Sequence, residues 1–140
     1  MRQLLCQVCG RPADRNTDGV LWLLGEASDN PNDWPPGLET THPPLCVPCA
    51  LSAVRLCPHL ARNYVALRVR DFQLAGVWGA LYRPGLPLPT MVDATGVPYE
   101  DPRARWVRAH QLVMRLDTFT VVDLVAETSR GTGGSARGRP

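Results

Sequence analysis

Four cysteines occur as two C-x-x-C pairs, Cys6 with Cys9 near the start of the chain and Cys46 with Cys49 further along. A C-x-x-C turn places two thiolates close enough to bind one ion, and two such turns supply the four soft ligands of a tetrahedral structural zinc site. Gly10, directly after Cys9, can take the positive φ that turns backbone amides toward the thiolate sulfurs. The spacing therefore predicts one structural Zn²⁺ held by all four cysteines.

The fifth cysteine lies in the sequence Cys57-Pro58-His59 and raises the question of a second site. If a helix runs from Cys49 through Cys57, the Cys57 thiol points along the same face, where it can join His59 and His42. His59 can also replace one cysteine as the fourth ligand. The alternative is a small buried Cys57 and a His59 that caps the helix. We favour this alternative, since a second site needs four ligands and the chain has few spare donors, but Cys57 and His59 stay as alternate ligands.

The length and composition limit the number of domains, the location and the kind of partner that we expect. A chain of 140 residues suffices for one domain with a modest core. Because no apolar run follows a basic N-terminal segment and no stretch of eighteen apolar residues occurs, we expect neither a signal peptide nor a membrane span, and hence a cytoplasmic protein with reduced thiols. Residues 1–54 carry three arginines and six acids, whereas residues 55–115 carry nine arginines and four acids. The overall charge of +2 is nevertheless far from the strongly basic balance of a dedicated nucleic-acid binder.

The elements around the cysteines follow from local signals. The apolar run 20–24 predicts a strand, and the proline-rich residues 27–44 predict a long loop. Helix-forming residues begin at Ala50, directly after Cys49, and Pro58 should end that helix.

This order of knuckle, strand and helix over residues 1–60 resembles the treble-clef class of zinc modules. The long insertion between the two cysteine pairs leaves a zinc ribbon open, although Ala50 in place of a glycine after Cys49 favours the helical version. Four segments also resemble a group of small actinomycete proteins, some of them associated with phage or mobile elements. These segments are residues 5–10, 19–24, 41–46 and 57–60. The resemblance implies a zinc-site protein and transfers no activity.

Residues 61–128 predict an α+β lobe packed on the zinc module. The expected elements are a half-exposed strand (64–70), its hairpin partner (74–82), an amphipathic helix (102–116) and a closing strand (118–125). The helix start is marked by Asp101 as N-cap and Pro102 at the first helical position. Residues 129–140 are too poor in apolar groups to pack, and we expect a disordered tail.

Arginines on this lobe are the candidates for contact with a partner. The alternation places two of them on an outer sheet face, with a third at the end of the hairpin and two on the solvent side of the helix. They are Arg68, Arg70, Arg83, Arg108 and Arg115. Adjacent cations are what phosphate neutralisation requires. The alternative, which we favour, is a solvated surface.

Taken together, the sequence predicts a small zinc-stabilised α+β protein that acts as a non-catalytic binding or adaptor module with a protein partner. A nucleic-acid-binding zinc protein is the first alternative. A metal-dependent nuclease or hydrolase would need a histidine base and an open ligand position, whereas four thiolates close the zinc. A thiol-redox protein would use Cys46 and Cys49 at a helix start, but residues 40–44 make a poor preceding strand.

Overall fold

The computed structural model describes residues 4–25, 34 and 37–130 of the chain. In this part of the chain the fold is mixed α+β, with a mostly antiparallel sheet and few helices, which confirms the predicted class. The elements are β1 (Arg15–Asn16), β2 (Gly19–Gly25), β3 (Leu38–Thr40), α1 (Val47–Leu56), α2 (Pro58–Arg62), β4 (Tyr64–Arg83), β5 (Thr90–Pro98), a 3₁₀ helix (Pro102–Trp106), β6 (Val107–Val122) and α3 (Leu124–Arg130). None of the described helices is long and apolar enough to cross a membrane.

The described strands form one sheet in the order β1-β2-β4-β6-β3, with β5 also paired to β4. Contacts divide the chain into two compact units. The cysteine unit comprises Met1–Trp34, His42–Arg70 and Phe119–Pro140, and the hairpin unit comprises Pro35–Thr41 and Asp71–Thr118. Each unit therefore draws on separated segments, because β4 and β6 contribute to both, and neither unit coincides with the expected divisions 1–60 and 61–128.

Two apolar strands form the centre of the cysteine unit. β2 and the first part of β4 pair antiparallel, with Trp22 opposite Leu67. β2 includes residues 20–24, which confirms the strand predicted there. Residues 20–24 and 65–69 are all buried. The buried indole nitrogen of Trp22 donates a 2.9 Å hydrogen bond to the carbonyl of His42, since a buried N–H needs a partner.

The core of this unit joins the first cysteine pair to β2, β4, α1 and α3. Its buried members are Cys6, Leu21, Leu23, Leu45, Val47, Ala50, Ala66 and Leu124. α1 covers the helix expected after Cys49, and α2 begins at Pro58, where that helix was expected to stop.

The hairpin expected within residues 64–82 is wrong, because Tyr64–Arg83 is one continuous strand. Gly76 and Gly79 in this strand permit the close approach of neighbouring strands. A Cβ on Gly76 would lie 2.4 Å from the carbonyl oxygen of Val97 in β5, and one on Gly79 would lie 2.2 Å from that of Arg108 in β6. The hairpin partner of β4 is therefore β5, which the connector 84–89 joins to it.

The amphipathic helix expected over residues 102–116 is also wrong. The start signal is real, since Asp101 accepts a 2.8 Å hydrogen bond from the backbone N–H of Arg103 and Pro102 occupies the first position. It produces only one short 3₁₀ helix. From Val107 the chain is strand β6, which pairs with β4 and with β3. Long-range strand pairing has overridden the local helical pattern.

The boundaries of the closing strand, the tail and the long loop also differ from the expected ones. Strand β6 stops at Val122, and α3 takes the remaining residues of the expected closing strand. α3 extends to Arg130, into the expected tail, and residues 131–140 lie outside the described residues. The expected loop 27–44 contains β3, whereas its residues 27–33, 35 and 36 lie outside the described part.

Candidate metal centre

The four predicted cysteines converge on one point. The sulfur atoms of Cys6, Cys9, Cys46 and Cys49 all lie within 4.8 Å of one another. The Sγ atoms of Cys9 and Cys46 are 3.7 Å apart. Zn–S bonds of about 2.3 Å in a tetrahedron place neighbouring sulfurs about 3.8 Å apart, so the spacing fits a single ion. All five cysteines are free thiols, as metal binding requires.

A tight turn positions the first pair. The backbone N–H of Gly10 donates a 2.9 Å hydrogen bond to the carbonyl of Cys6, and the N–H of Cys6 donates a 2.7 Å bond to the carbonyl of Arg11. Gly10 has a φ of 68°, in the left-handed region that favours glycine. The positive φ expected of this glycine is confirmed.

The N-terminus of α1 positions the second pair. Cys46 is the N-cap residue, and Cys49 lies in the first turn, where Ala50 donates a 3.0 Å backbone bond to the Cys46 carbonyl. The N–H of Gln7 donates a 3.2 Å bond to the carbonyl of Pro44, so the first turn is tied to the segment that enters α1. The turn that carries Cys6 and Cys9 is thus held next to the N-terminus of α1, which carries Cys46 and Cys49.

The four thiols differ in their affinity for a proton. Burial raises the pKa of Cys6, but backbone hydrogen bonds from Cys46, Cys9 and Val8 outweigh it and lower the pKa to about 6. A backbone hydrogen bond from Arg11 lowers the pKa of Cys9.

The second pair behaves in the opposite way. Burial raises the pKa of Cys46. The hydrogen bond with the Cys46 side chain, and then burial, raise the pKa of Cys49 to about 12. Four neighbouring thiols cannot all ionise without a cation between them, whereas a bound metal ion deprotonates coordinating thiols outright. The donor set therefore fits a soft divalent ion.

Cys57 and His59 do not join this centre. Among the described residues, the only group able to hold a metal is the set of four cysteines. Cys57 is half-buried between α1 and α2, and its N–H donates to the carbonyl of Ala53 at the end of α1. His59 is exposed in α2. Neither alternate ligand lies where it would replace a cysteine.

Arg68 is buried, which contradicts its expected place on an exposed sheet face. Its side chain is only 2% exposed. The guanidinium forms ion pairs with Glu127 of α3 and, at 2.6 Å, with Asp14. It also donates a 3.3 Å hydrogen bond to the carbonyl of Gly19. Both faces of β4 are covered here, so the alternation of residues 64–70 did not indicate an outer face.

The other candidate arginines are exposed but do not form one set. Arg70 lies 3.8 Å from Asp18, and Arg115 donates a 3.0 Å bond to Asp117. Arg83 lies at the end of β4, and Arg108 lies on β6 instead of on a helix. Arg70 belongs to the cysteine unit and the other three to the hairpin unit.

The buried pairing of Arg68 with Glu127 is the main arrangement of charged side chains that was not expected from the sequence. The one available signal was compositional, since Arg68 is the only charged residue within an otherwise apolar run, 65–69. Nothing local pointed to Glu127, because residues 118–125 were expected to end the fold as a strand.

The fold and the centre define a small α+β protein with four cysteines positioned to hold a metal ion. Comparison with family models, curated proteins and solved structures finds no match.

Proposed function

We propose that this protein is a non-catalytic binding module whose fold is held by one structural zinc ion and whose partner is another protein. The observation that carries the proposal is the convergence of four cysteine sulfurs within 4.8 Å. Four thiolates in a tetrahedron are typical of structural zinc and leave no position for water or substrate. The proposal places the protein in the cytoplasm, where thiols stay reduced.

The surroundings of the second pair support a treble-clef arrangement over a zinc ribbon. Cys46 and Cys49 lie at the N-terminus of α1, whereas a ribbon would place them on a second glycine-marked knuckle. The first pair lies on such a knuckle, at Gly10. The long segment between the two cysteine pairs is compatible with both arrangements, because the entropic cost of closing a loop grows only slowly with its length.

A protein partner is favoured over nucleic acid by the surface of the hairpin unit. Its segments, residues 35–41 and 71–118, carry five arginines and six acids, so they present no net positive field. Large apolar side chains are exposed instead. They include Trp78, Leu86, Leu88, Met91 and Leu112. Exposed apolar patches mark interaction sites more often than single exposed residues do.

Cysteine variants test the zinc centre. We expect Cys49→Ser to reduce the bound zinc to well below one ion per chain, because it removes one of four ligands. Cys57→Ser is the matched control and should retain one zinc per chain. Metal content is measured by mass spectrometry of the purified, reduced proteins. Full zinc in Cys49→Ser, or loss of zinc in Cys57→Ser, would overturn the assignment.

Nucleic-acid binding is tested by the salt dependence of binding to labelled DNA and RNA. We expect weak binding with a shallow slope. Arg68→Ala cannot serve here, because Arg68 is buried, and the exposed Arg70 and Arg108 are the residues to change. A steep slope that Arg108→Ala reduces would replace the protein partner with a nucleic acid.

A further inference from the structure

The sheet of the cysteine unit has two faces that cover different parts of the fold. Side chains alternate along β2 and β4, and residues directly opposite each other in the two strands share a face. One face carries the pair Trp22 and Leu67, and the other carries the pair Leu21 and Arg68. Leu21 belongs to the same buried core as Cys6. Arg68 therefore lies on the side of the sheet that faces the candidate metal centre.

Asp14 connects the two segments that carry the cysteines. It follows Ala13, whose N–H donates a 2.9 Å hydrogen bond that closes the turn of the first cysteine pair. The N–H of Asp14 itself donates a 3.0 Å bond to the carbonyl of Leu45. Leu45 immediately precedes Cys46, the first member of the second pair. The backbone of Asp14 therefore joins the end of one cysteine segment to the start of the other.

The connection extends to strand β2. The N–H of Leu21 donates a 3.0 Å hydrogen bond to the carbonyl of Asp14, and the carbonyl of Leu21 accepts a 3.0 Å bond from the N–H of Leu45. Asp14, Leu21 and Leu45 thus form a closed triangle of backbone hydrogen bonds. Together with the bond from Gln7 to Pro44, this triangle fixes the spacing between the turn of the first cysteine pair and the N-terminus of α1.

Arg68 holds the triangle in place through its side chain. Its Nη2 atom lies 2.6 Å from the carboxylate of Asp14, and its Nη1 atom donates a 3.4 Å hydrogen bond to the carbonyl of the same residue. Nη1 also donates a 3.3 Å bond to the carbonyl of Gly19. Because the Arg68 side chain is only 2% exposed, movement of Asp14 away from it would leave part of a buried cation unpaired. One guanidinium therefore restrains both the backbone and the side chain of Asp14.

Glu127 of α3 fixes the direction of this guanidinium. Its carboxylate accepts hydrogen bonds from Nε of Arg68, at 2.8 Å, and from Nη2. Both side chains of this pair are buried. A planar guanidinium that is bound through two of its nitrogens loses the freedom to turn. The fold thus sets the position of the Nη atoms that bind Asp14.

We propose that Arg68 and Asp14 are positioning residues for the zinc ion, which hold the two cysteine pairs at binding distance through the backbone of Leu45. This role rests on the proposed function, since it requires that the four cysteines hold zinc. Groups behind metal ligands set the affinity for the ion because they decide how far the ligands must move to bind it. Loss of either positioning residue lets the two cysteine segments separate locally and release the ion before the rest of the unit unfolds.

The test is the rate at which the full, zinc-loaded chain gives its metal to an excess of a chromophoric chelator, measured without urea and at rising urea. Release by local opening exposes little surface and depends little on urea, whereas release by global unfolding rises steeply with it. We expect Asp14→Ala and Arg68→Ala to raise the urea-independent rate by at least about 10-fold, the lower end of the affinity losses caused by changes behind metal ligands. If Arg68→Ala does not fold, Asp14→Ala decides the result, since the Asp14 side chain is 33% exposed.

Two control variants separate positioning from a general loss of stability. Leu67→Ala removes a buried side chain from the opposite face of the sheet, so it lowers the free energy of unfolding without touching the triangle. Asp18→Ala removes a carboxylate that is 41% exposed and lies 3.8 Å from Arg70. Both controls should keep the urea-independent rate of the wild type.

The zinc content of each protein before chelation separates this role from the proposed function. An unchanged rate in Asp14→Ala, or an equal rise in Leu67→Ala, would overturn the positioning role while leaving one zinc per chain intact. A folded wild-type chain that carries no zinc would instead refute the proposed function, and the positioning role with it.

Discussion

Arg68 shows how one buried charge ties together parts of the chain that are far apart in sequence. Its guanidinium pairs with Glu127, 59 residues later, and with Asp14, 54 residues earlier. Burying such a group is costly unless its hydrogen-bonding positions are filled, and here they are filled by two carboxylates and two carbonyls. Loss of the arginine leaves Glu127 buried without its cation.

We therefore expect Arg68→Ala to destabilise the cysteine unit by about 3–5 kcal/mol. The neighbouring Arg70→Ala is the control, since Arg70 is 60% exposed and its pair with Asp18 is long. Exposed substitutions of this kind change the unfolding free energy by no more than about 0.5 kcal/mol. Urea denaturation of both zinc-loaded variants checks this, and equal losses would show that the buried pair contributes little.

The four clustered cysteines were the residues most predictable from sequence. Spacing within each pair is a local property, and the soft-ligand chemistry of thiolates does not depend on the rest of the fold. The apolar run 65–69 is typical of a strand covered on both faces, so it carried a signal for the burial of Arg68. The partner Glu127 was not predictable, because it depends on which element packs over β4.

For the secondary-structure elements, a local sequence signal could be correct while the predicted length of the element was wrong. Asp101 and Pro102 do start a helix, but it ends after one short turn of 3₁₀ type. Leu112 and Val113 fit a helical stripe equally well, yet on β6 Val113 is buried and Leu112 is exposed, as strand alternation requires. The sequence of residues 107–116 fits both a helical and a strand period. Pairing of β6 with strands far away in the sequence selects the strand, and that pairing is not encoded in the local pattern.

Gly19, in the turn between β1 and β2, packs closely against the backbone of β4, and this contact can be tested. Gly19 has a φ of 123°, and an added Cβ would lie 2.2 Å from the carbonyl oxygen of Val69. We expect Gly19→Ala to cost more than the roughly 1–2 kcal/mol of a left-handed alanine, because backbone would have to move.

Gly10→Ala is the matched control for that substitution. Gly10 also has a positive φ, but nothing lies within 4 Å of an added Cβ. Thermal and urea unfolding of both zinc-loaded variants should therefore show the larger loss for Gly19→Ala. A larger or equal loss for Gly10→Ala would contradict the close contact at Val69.

For the whole molecule, the metal is expected to hold the cysteine unit together. Cys6 is a member of the apolar core, and the other three ligands pack against it. Zinc binding in small cysteine-rich modules contributes on the order of 10 kcal/mol, which is comparable to the entire stability of a domain.

Removing zinc with a strong chelator under reducing conditions should therefore unfold this unit. The buried Trp22 supplies the signal, as a loss of near-ultraviolet circular dichroism that returned zinc restores. Chelation in the presence of excess zinc is the control. A metal-free chain that keeps this signal and its melting temperature would show that the fold does not depend on the metal.

The central claim, that four sulfurs enclose one zinc ion, is tested most directly by X-ray absorption at the zinc edge of the purified protein. We predict four sulfur ligands at about 2.3 Å and no nitrogen or oxygen ligand. A nitrogen at about 2.0 Å, a bound water or fewer than four sulfurs would contradict the closed centre formed by Cys6, Cys9, Cys46 and Cys49.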